Sequence, residues 1–389
     1  MRRFLTLAVA ALAGGIVAAA AVLMVLEGAY PFPAASTSLA PAYSPPAITD
    51  TPSPTLVSSN NEAALASLPA PIDLRAAARI AIPSVVHIKA RTEGRQREAI
   101  KALFTDKSPG RRAREGEGSG VIYTSNGYII TNLHVVEGAD DITVIRADRQ
   151  VYPASLVGSD SKSDLAVLRI EGTDLPFLEL ADSDAAEPGS WVLAVGNPLG
   201  LTSTVTAGIV SAKGRSIDLF SEMDAIESFI QSDAAVNPGN SGGALVTAAG
   251  KLIGINTAIA SQTGRFQGYS FAIPSNLMQR IADDIIEFGD YRRAFLGVEI
   301  STFTASDQRR LKLKNYTEGV VIDAIFADGS AAAAGLKVDD LIIGVDQRTI
   351  RDLPELTELI GRAKVGETLN MKVVRNGKEL DVIVSMLER

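Results

Sequence analysis
Between residues 82 and 274 the chain is divided into short runs rich in Val, Ile, Leu and Thr: SVVHIKA, GVIYTSNGYIITN, DITVIRA, LAVLRI, SWVLAVG, STVTAGIVSA, GGALVTAAGKLIGINTAIA and GYSFAIP. Glycine and polar turns separate them. Many strands at such close spacing predict an all-β barrel or sandwich. In VIYTSNGYII the Asn126-Gly127 pair stands between two apolar strands and predicts a tight hairpin. The stretch 91–118 interrupts the rhythm with dense charge and no strand pattern, which predicts a solvated loop.

After Pro274 the period changes. Leu277, Met278, Ile281, Ile285 and Phe288 fall on one helical face, and Gly289 supplies a stop. A smaller unit follows from about 291, with strands near FLGVEI, EGVVIDAIF, DLIIGVDQ, LNMKVVRNG and LDVIVSML. One clear helix is expected at DLPELTELIGRA, where Asp352 can cap and Pro354 suits a first turn.

With 389 residues, two domains are expected once non-globular segments are removed. Residues 4–26 carry no charge and follow Met1, Arg2 and Arg3. At 1.5 Å per residue they reach roughly 34 Å, enough to cross a bilayer core. They are expected to form a membrane anchor, with a cleaved signal peptide and a buried core helix as the alternatives. The two arginines place the N-terminus in the cytoplasm and the rest of the chain outside it. Residues 27–71, rich in Pro, Ala, Ser and Thr, read as a flexible tether. The expected organisation is an anchor at 1–26, a linker at 27–71, a first folded domain at 72–289 and a second at 290–389.

The absence of cysteine removes disulfides and thiolate metal sites, and two histidines leave little for zinc, so no metal or cofactor is expected. A net charge of -8 argues against a nucleic-acid partner, which needs a basic surface.

The stretch NPGNSGGAL places Ser241 among glycines at 239, 242 and 243. Glycine lets the backbone take φ > 0 and approach a ligand closely, which suits either a turn or a nucleophile. A serine needs a base to take its proton and a third group to hold that base. Two histidines are available. His87 alternates with Val86 and Ile88 and reads as a structural or exposed strand residue, whereas His134 stands where the strand YIITN runs out, as presented catalytic groups do. For the acid, Asp164 directly precedes an apolar strand, and Asp160 looks like turn chemistry. The order His, Asp, Ser on an all-β chain is that of the chymotrypsin-type barrel.

TNLHVV, SDLAVL and GNSGGALV together resemble the HtrA/Deg family of serine proteases, over roughly 80–389. The resemblance implies a chymotrypsin-like double β-barrel protease domain with a catalytic triad of His134, Asp164 and Ser241. It also implies an oxyanion hole made by the backbone N–H groups of Gly239 and Ser241. RAFLGVEI and GSAAAAGLKVDDLIIGVD resemble a small α+β PDZ domain, which captures a peptide C-terminus at a sheet edge. Phe295, Leu296 and Gly297 then match its carboxylate-binding loop. One such domain with an uncleaved anchor resembles the membrane-tethered branch of the family, which acts in the envelope of Gram-negative bacteria. That implies an inner-membrane, single-pass protein whose periplasmic domains cut misfolded or regulatory proteins, without ATP, under the control of C-terminal peptides. A homotrimer is implied by the resemblance alone. So is a regulatory role for Arg215, placed in a loop spanning 212–228, as a relay toward the oxyanion loop. The resemblance also places the primary pocket at Ala234, Ala235 and Val236 and at the stretch 256–268, and the absence of charge at the three residues implies a preference for small aliphatic residues. A chaperone-like holdase and a peptide-sensing scaffold with low proteolytic activity are the alternatives.

Overall fold
The computed structural model describes residues 72–92, 116–198, 203–217, 225–259 and 267–388. The expected anchor and linker therefore lie outside the described residues. Among the described residues no helix is long and apolar enough to cross a membrane.

Twelve strands close into two six-stranded antiparallel barrels. The first holds β1 (Val85–Arg91), β2 (Gly116–Ile122), β3 (Tyr128–Asn132), β4 (Asp141–Ile145), β5 (Val151–Asp160) and β6 (Leu165–Ile170), in the order β1-β2-β3-β6-β5-β4. The second holds β7 (Trp191–Gly196), β8 (Thr204–Arg215), β9 (Phe229–Ser232), β10 (Ala244–Thr247), β11 (Leu252–Ile259) and β12 (Ser270–Pro274), in the order β10-β11-β12-β9-β8-β7. Closure leaves no edge strand to pair with another chain. The fully apolar runs follow from burial on both sides. Leu165, Ala166, Val167 and Leu168 in β6 are each at most 1% exposed, because alternate residues face the interior of the first barrel and the core shared with the second.

The helix Ser275–Phe288 packs Leu277, Met278, Ile281 and Ile285 into that shared core and ends at Gly289, whose φ of 84° forms a left-handed cap. Phe288 departs from the expected apolar face. It is 50% exposed and lies under the Arg292 guanidinium, 5.2 Å from its ring centre.

The C-terminal unit contains β13 (Ala294–Phe295), β14 (Val298–Thr302), β15 (Val320–Ile325), β16 (Leu341–Val345), β17 (Arg348–Thr349), β18 (Thr368–Arg375), β19 (Lys378–Ser385) and β20 (Leu387–Glu388). Its sheet runs β14-β15-β16-β18-β19, so β14 is an edge. The helix Leu353–Arg362 carries Pro354 in its first turn, and the Asp352 side chain accepts from the Glu355 N–H at 3.1 Å.

Three local expectations change. The Asn126-Gly127 pair does lie in an antiparallel β2–β3 hairpin, but not as a two-residue turn. Tyr123 and Tyr128 bracket a longer loop, and only Gly127 takes positive φ, since Thr124 Oγ1 donates to Asn126 Oδ1 and holds a turn from Thr124 to Gly127. The charged stretch at 91–118 is narrower, because β1 keeps Arg91 and β2 begins at Gly116. β8 also continues through 212–215, where two register shifts let it stay paired with β9 as far as Arg215 opposite Phe229.

Candidate functional site
At the end of β3 the chain turns at Asn132 into the short helix Leu133–Val136, which lifts His134 out of the barrel. Its side chain is 50% exposed, whereas that of Asp164 is 7% exposed. Asp164 has φ of 55°, a left-handed conformation that aspartate tolerates better than most residues. This conformation lets both its carbonyl and its carboxylate face one loop. The carbonyl accepts from the Leu133 N–H at 3.1 Å and from Asn132 Nδ2 at 3.0 Å. Oδ1 accepts from the His134 N–H at 2.9 Å, while Oδ2 accepts from His134 Nδ1 at 2.7 Å and from Thr257 Oγ1 at 2.9 Å. Because an ionised carboxylate only accepts, this network assigns the imidazole proton to Nδ1 and leaves Nε2 as the acceptor.

The glycine-rich stretch arranges donors rather than merely loosening the chain. The Asn240 N–H donates to the Asn237 carbonyl at 3.0 Å, with Pro238 and Gly239 between them and Gly239 at φ of 101°. That is a type II turn, which needs positive φ at its third position. Gly242 is required for a different reason. At φ of 82°, a Cβ there would stand 2.1 Å from the Ser119 carbonyl oxygen. Among the described residues the N–H groups of Gly239 and Ser241 have no acceptor. Ser241 Oγ donates to the Thr257 carbonyl at 3.3 Å, so Thr257 touches the serine through its backbone and Asp164 through its hydroxyl.

Two residues of this network carried no signal in the sequence. Thr257 lies inside β11 and Ser119 inside β2, where threonine and serine are ordinary. Ser119 is fully buried and ties the two barrels together at the turn. Its Oγ donates to the Gly239 carbonyl at 2.6 Å and accepts from the Asn197 N–H at 2.8 Å. Its N–H donates to the Ser241 carbonyl at 2.8 Å. Ser119→Ala removes the hydroxyl that holds the Gly239 carbonyl, leaving that partly buried carbonyl and the buried Asn197 N–H without this partner. The expected result is a kcat at least tenfold lower on a peptide substrate, about 1.4 kcal/mol. KM should change little, and a loss confined to KM would reject this role.

The other candidates separate clearly. His87 is fully buried in β1, and among the described residues neither ring nitrogen reaches a partner at hydrogen-bond geometry. Burial depresses its pKa, so it stays neutral. Asp160 is a strand residue rather than a turn: it ends β5 and pairs with Arg293 Nη2 at 3.0 Å. Ala234 and Val236 are buried in the core, leaving Ala235 only partly buried, and residues 260–266 of the expected pocket lie outside the described residues. Arg215 is the last residue of β8, not a loop residue, and its Nε donates to Gln231 Oε1 on β9 at 3.2 Å. The described part of the following segment resumes at 225.

Phe295, Leu296 and Gly297 line a cavity of about 870 Å³ between β14 and the helix Leu353–Arg362. Gly297 takes φ of 75°, and the N–H groups of Leu296 and Gly297 have no acceptor among the described residues. Ser216, Ala225, Ile226 and Glu227, from the segment between β8 and β9, line the same cavity. The helix is also anchored to the barrels. Ser228 Oγ donates to Glu358 Oε2 at 2.6 Å, and Asp184 accepts from Arg362 at 2.9 Å and from Arg348 at 2.5 Å. Burial opposes the ionised form of Asp184, but the two guanidiniums hold its carboxyl well below the usual range. Burial pushes the Glu358 carboxyl upward instead.

Comparison with known proteins adds the following. Residues 118–255 match a trypsin-like peptidase domain and residues 295–386 a PDZ domain. The chain is 41% identical over 298 residues to a probable periplasmic serine endoprotease DegP-like of Marinomonas sp. (strain MWYL1), covering 75% of this chain and 62% of that protein. It is 38% identical to the protein of the same description from Ectopseudomonas mendocina (strain ymp), covering 83% of this chain and 72% of the relative. The chain thus spans less than two thirds of the first of these. Among solved structures, an HtrA-type protease AlgW with tripeptide superposes with a TM-score of 0.64 at 39% identity, covering 82% of this chain and 97% of that one. The serine endoprotease from Yersinia pestis gives a TM-score of 0.53 at 33% identity, covering 82% of this chain and all of that one.

Proposed function
Because the chain belongs to the HtrA/DegP-type family of trypsin-like serine proteases with a PDZ domain, we propose that it is an ATP-independent endopeptidase of the bacterial periplasm. The observation that carries this reading is the continuous set of contacts from His134 through Asp164 and Thr257 to Ser241. In the reaction, Ser241 Oγ leaves the Thr257 carbonyl, turns to His134 Nε2 and attacks the scissile carbonyl carbon as its proton passes to Nε2. Asp164 stabilises the imidazolium that forms. The negative oxygen of the tetrahedral intermediate accepts from the unpaired N–H groups of Gly239 and Ser241. His134 then gives its proton to the leaving amine as the C–N bond breaks. Water attacks the acyl-enzyme by the same route, its proton passing to Nε2, and as the ester C–Oγ bond breaks Nε2 returns that proton to Ser241 Oγ and the carboxylic acid leaves.

The partly buried, uncharged Ala235 near the site favours cleavage after small aliphatic residues such as Val or Ala. Turnover of unfolded casein, with cut sites mapped and Ser241→Ala as control, tests both parts. Cleavage that persists in the variant rejects the nucleophile, and cuts after charged residues reject the pocket.

The envelope setting, the anchor formed by residues 4–26, the homotrimer and the choice of misfolded or regulatory substrates under stress form part of the same proposal. They rest on the family and on the uncharged N-terminal run. A C-terminal peptide in the PDZ cavity acts as the activator, held by the Leu296 and Gly297 N–H groups. Arg215 then acts as a relay. It holds Gln231 on the strand that leads into the Ser241 turn, and its neighbour Ser216 lines the peptide cavity. Arg215→Ala is expected to lower peptide-stimulated turnover at least tenfold, about 1.4 kcal/mol of coupling, with unchanged peptide affinity. Stimulation and affinity measured on one preparation decide this. Intact stimulation removes the relay, and a parallel loss of affinity indicates damage to the cavity.

A further inference from the structure
The charged side chains that line the peptide cavity are mainly acidic. Of its lining side chains Glu227, Glu299, Asp323 and Asp328 are acidic and Arg293 is basic. Arg293 is already engaged by both carboxylate oxygens of Asp160, at 3.1 and 3.0 Å. Glu299, Asp323 and Asp328 are exposed and have no ion pair among the described residues.

Their placement follows from strand alternation. Val298 and Ile300 of β14 pack on the domain core, while Glu299 between them points outward. Across the ladder Ile322 pairs with Ile300 and Ala324 with Glu299, so Asp323 is the extra residue of a bulge in β15. A peptide whose C-terminus is held at Leu296 and Gly297 would add antiparallel to the free edge of β14. Its last and third-last side chains then enter the apolar groove between Val298, Ile300, Leu353 and Ile360. The side chains between these project outward, beside Glu299 and Asp323.

We propose that, among peptide C-termini that fit this groove, those carrying lysine or arginine at the alternate, outward-facing positions are selected. The inference deepens the peptide-activation reading above and rests on it. Acidic tails are disfavoured by like-charge repulsion, and the discrimination weakens with rising ionic strength because the acids are solvent-exposed.

The test is fluorescence anisotropy on the whole chain with two labelled decapeptides. Both end in valine and differ only in carrying Lys or Glu at the penultimate and fourth-last positions. An amidated copy of the Lys peptide is the control. The expected result is at least tenfold tighter binding of the Lys peptide, with the difference shrinking as salt is added. The double charge reversal Glu299→Lys with Asp323→Lys should abolish or invert the preference. Equal affinity for the two peptides, or a preference that survives the reversal, overturns the selectivity while leaving carboxylate capture standing. Equal binding of the amidated copy instead overturns the underlying reading of the groove.

Discussion

Replacing Ser241 by alanine is expected to abolish peptide-bond hydrolysis while leaving the fold and peptide capture intact. The variant loses the attacking oxygen itself, and losses of this kind cost about 10⁴ to 10⁶ in rate. The fold should survive because among the described residues the Ser241 hydroxyl makes one hydrogen bond, at 3.3 Å to the Thr257 carbonyl. The turn around it is held by backbone and Ser119 contacts that the substitution leaves in place. The cavity lined by Phe295, Leu296 and Gly297 does not include Ser241, so affinity for a C-terminal peptide should match that of the parent. Turnover, thermal unfolding and anisotropy on one preparation separate the effects. More than a few per cent of residual turnover would remove Ser241 from the nucleophile's role.

The sequence is most informative where a residue type is unusual for its surroundings. Histidine at a strand end, aspartate at the mouth of an apolar strand and serine among glycines stand out for that reason, and the fold brings the first two within 2.7 Å. Strands such as β6 and β7 are readable because both of their faces are buried, so near-continuous apolar runs mark them. What escapes is work done by common residues in ordinary places. Ser119 and Thr257 act through partners 120 and 93 positions away in the chain, a distance at which no local period leaves a trace. The extension of β8 to Arg215 was hidden for a related reason. Its polar residues keep pairing through two register shifts, which break the alternation that identifies a strand. Phe288 shows the opposite failure. It sits on the correct helical stripe, yet the helix end projects past the core and leaves it stacked under Arg292.

Asp164→Asn tests the part of the site on which the assignment of His134 as base depends. The carboxylate receives three donors, the His134 N–H on one oxygen and His134 Nδ1 with Thr257 Oγ1 on the other. An amide of the same shape offers one acceptor oxygen and one NH₂ group, so it cannot serve both sides. With the NH₂ toward the ring, Nδ1 must become the acceptor, and the proton moves to Nε2. That is the tautomer unable to take the proton from Ser241. With the NH₂ turned the other way, it meets the His134 N–H, and two donors face each other in a buried position, costing about 1 to 3 kcal/mol. The imidazole would then be misplaced at the first turn of its helix. The first arrangement costs less structurally and more chemically, so kcat is expected to fall by about 10⁴ near neutral pH while the protein stays folded. Measuring kcat beside thermal unfolding distinguishes the two arrangements, since the second predicts a clear loss of stability. A folded variant retaining kcat within tenfold of the parent would show that the Asp164 carboxylate does not set the state of His134.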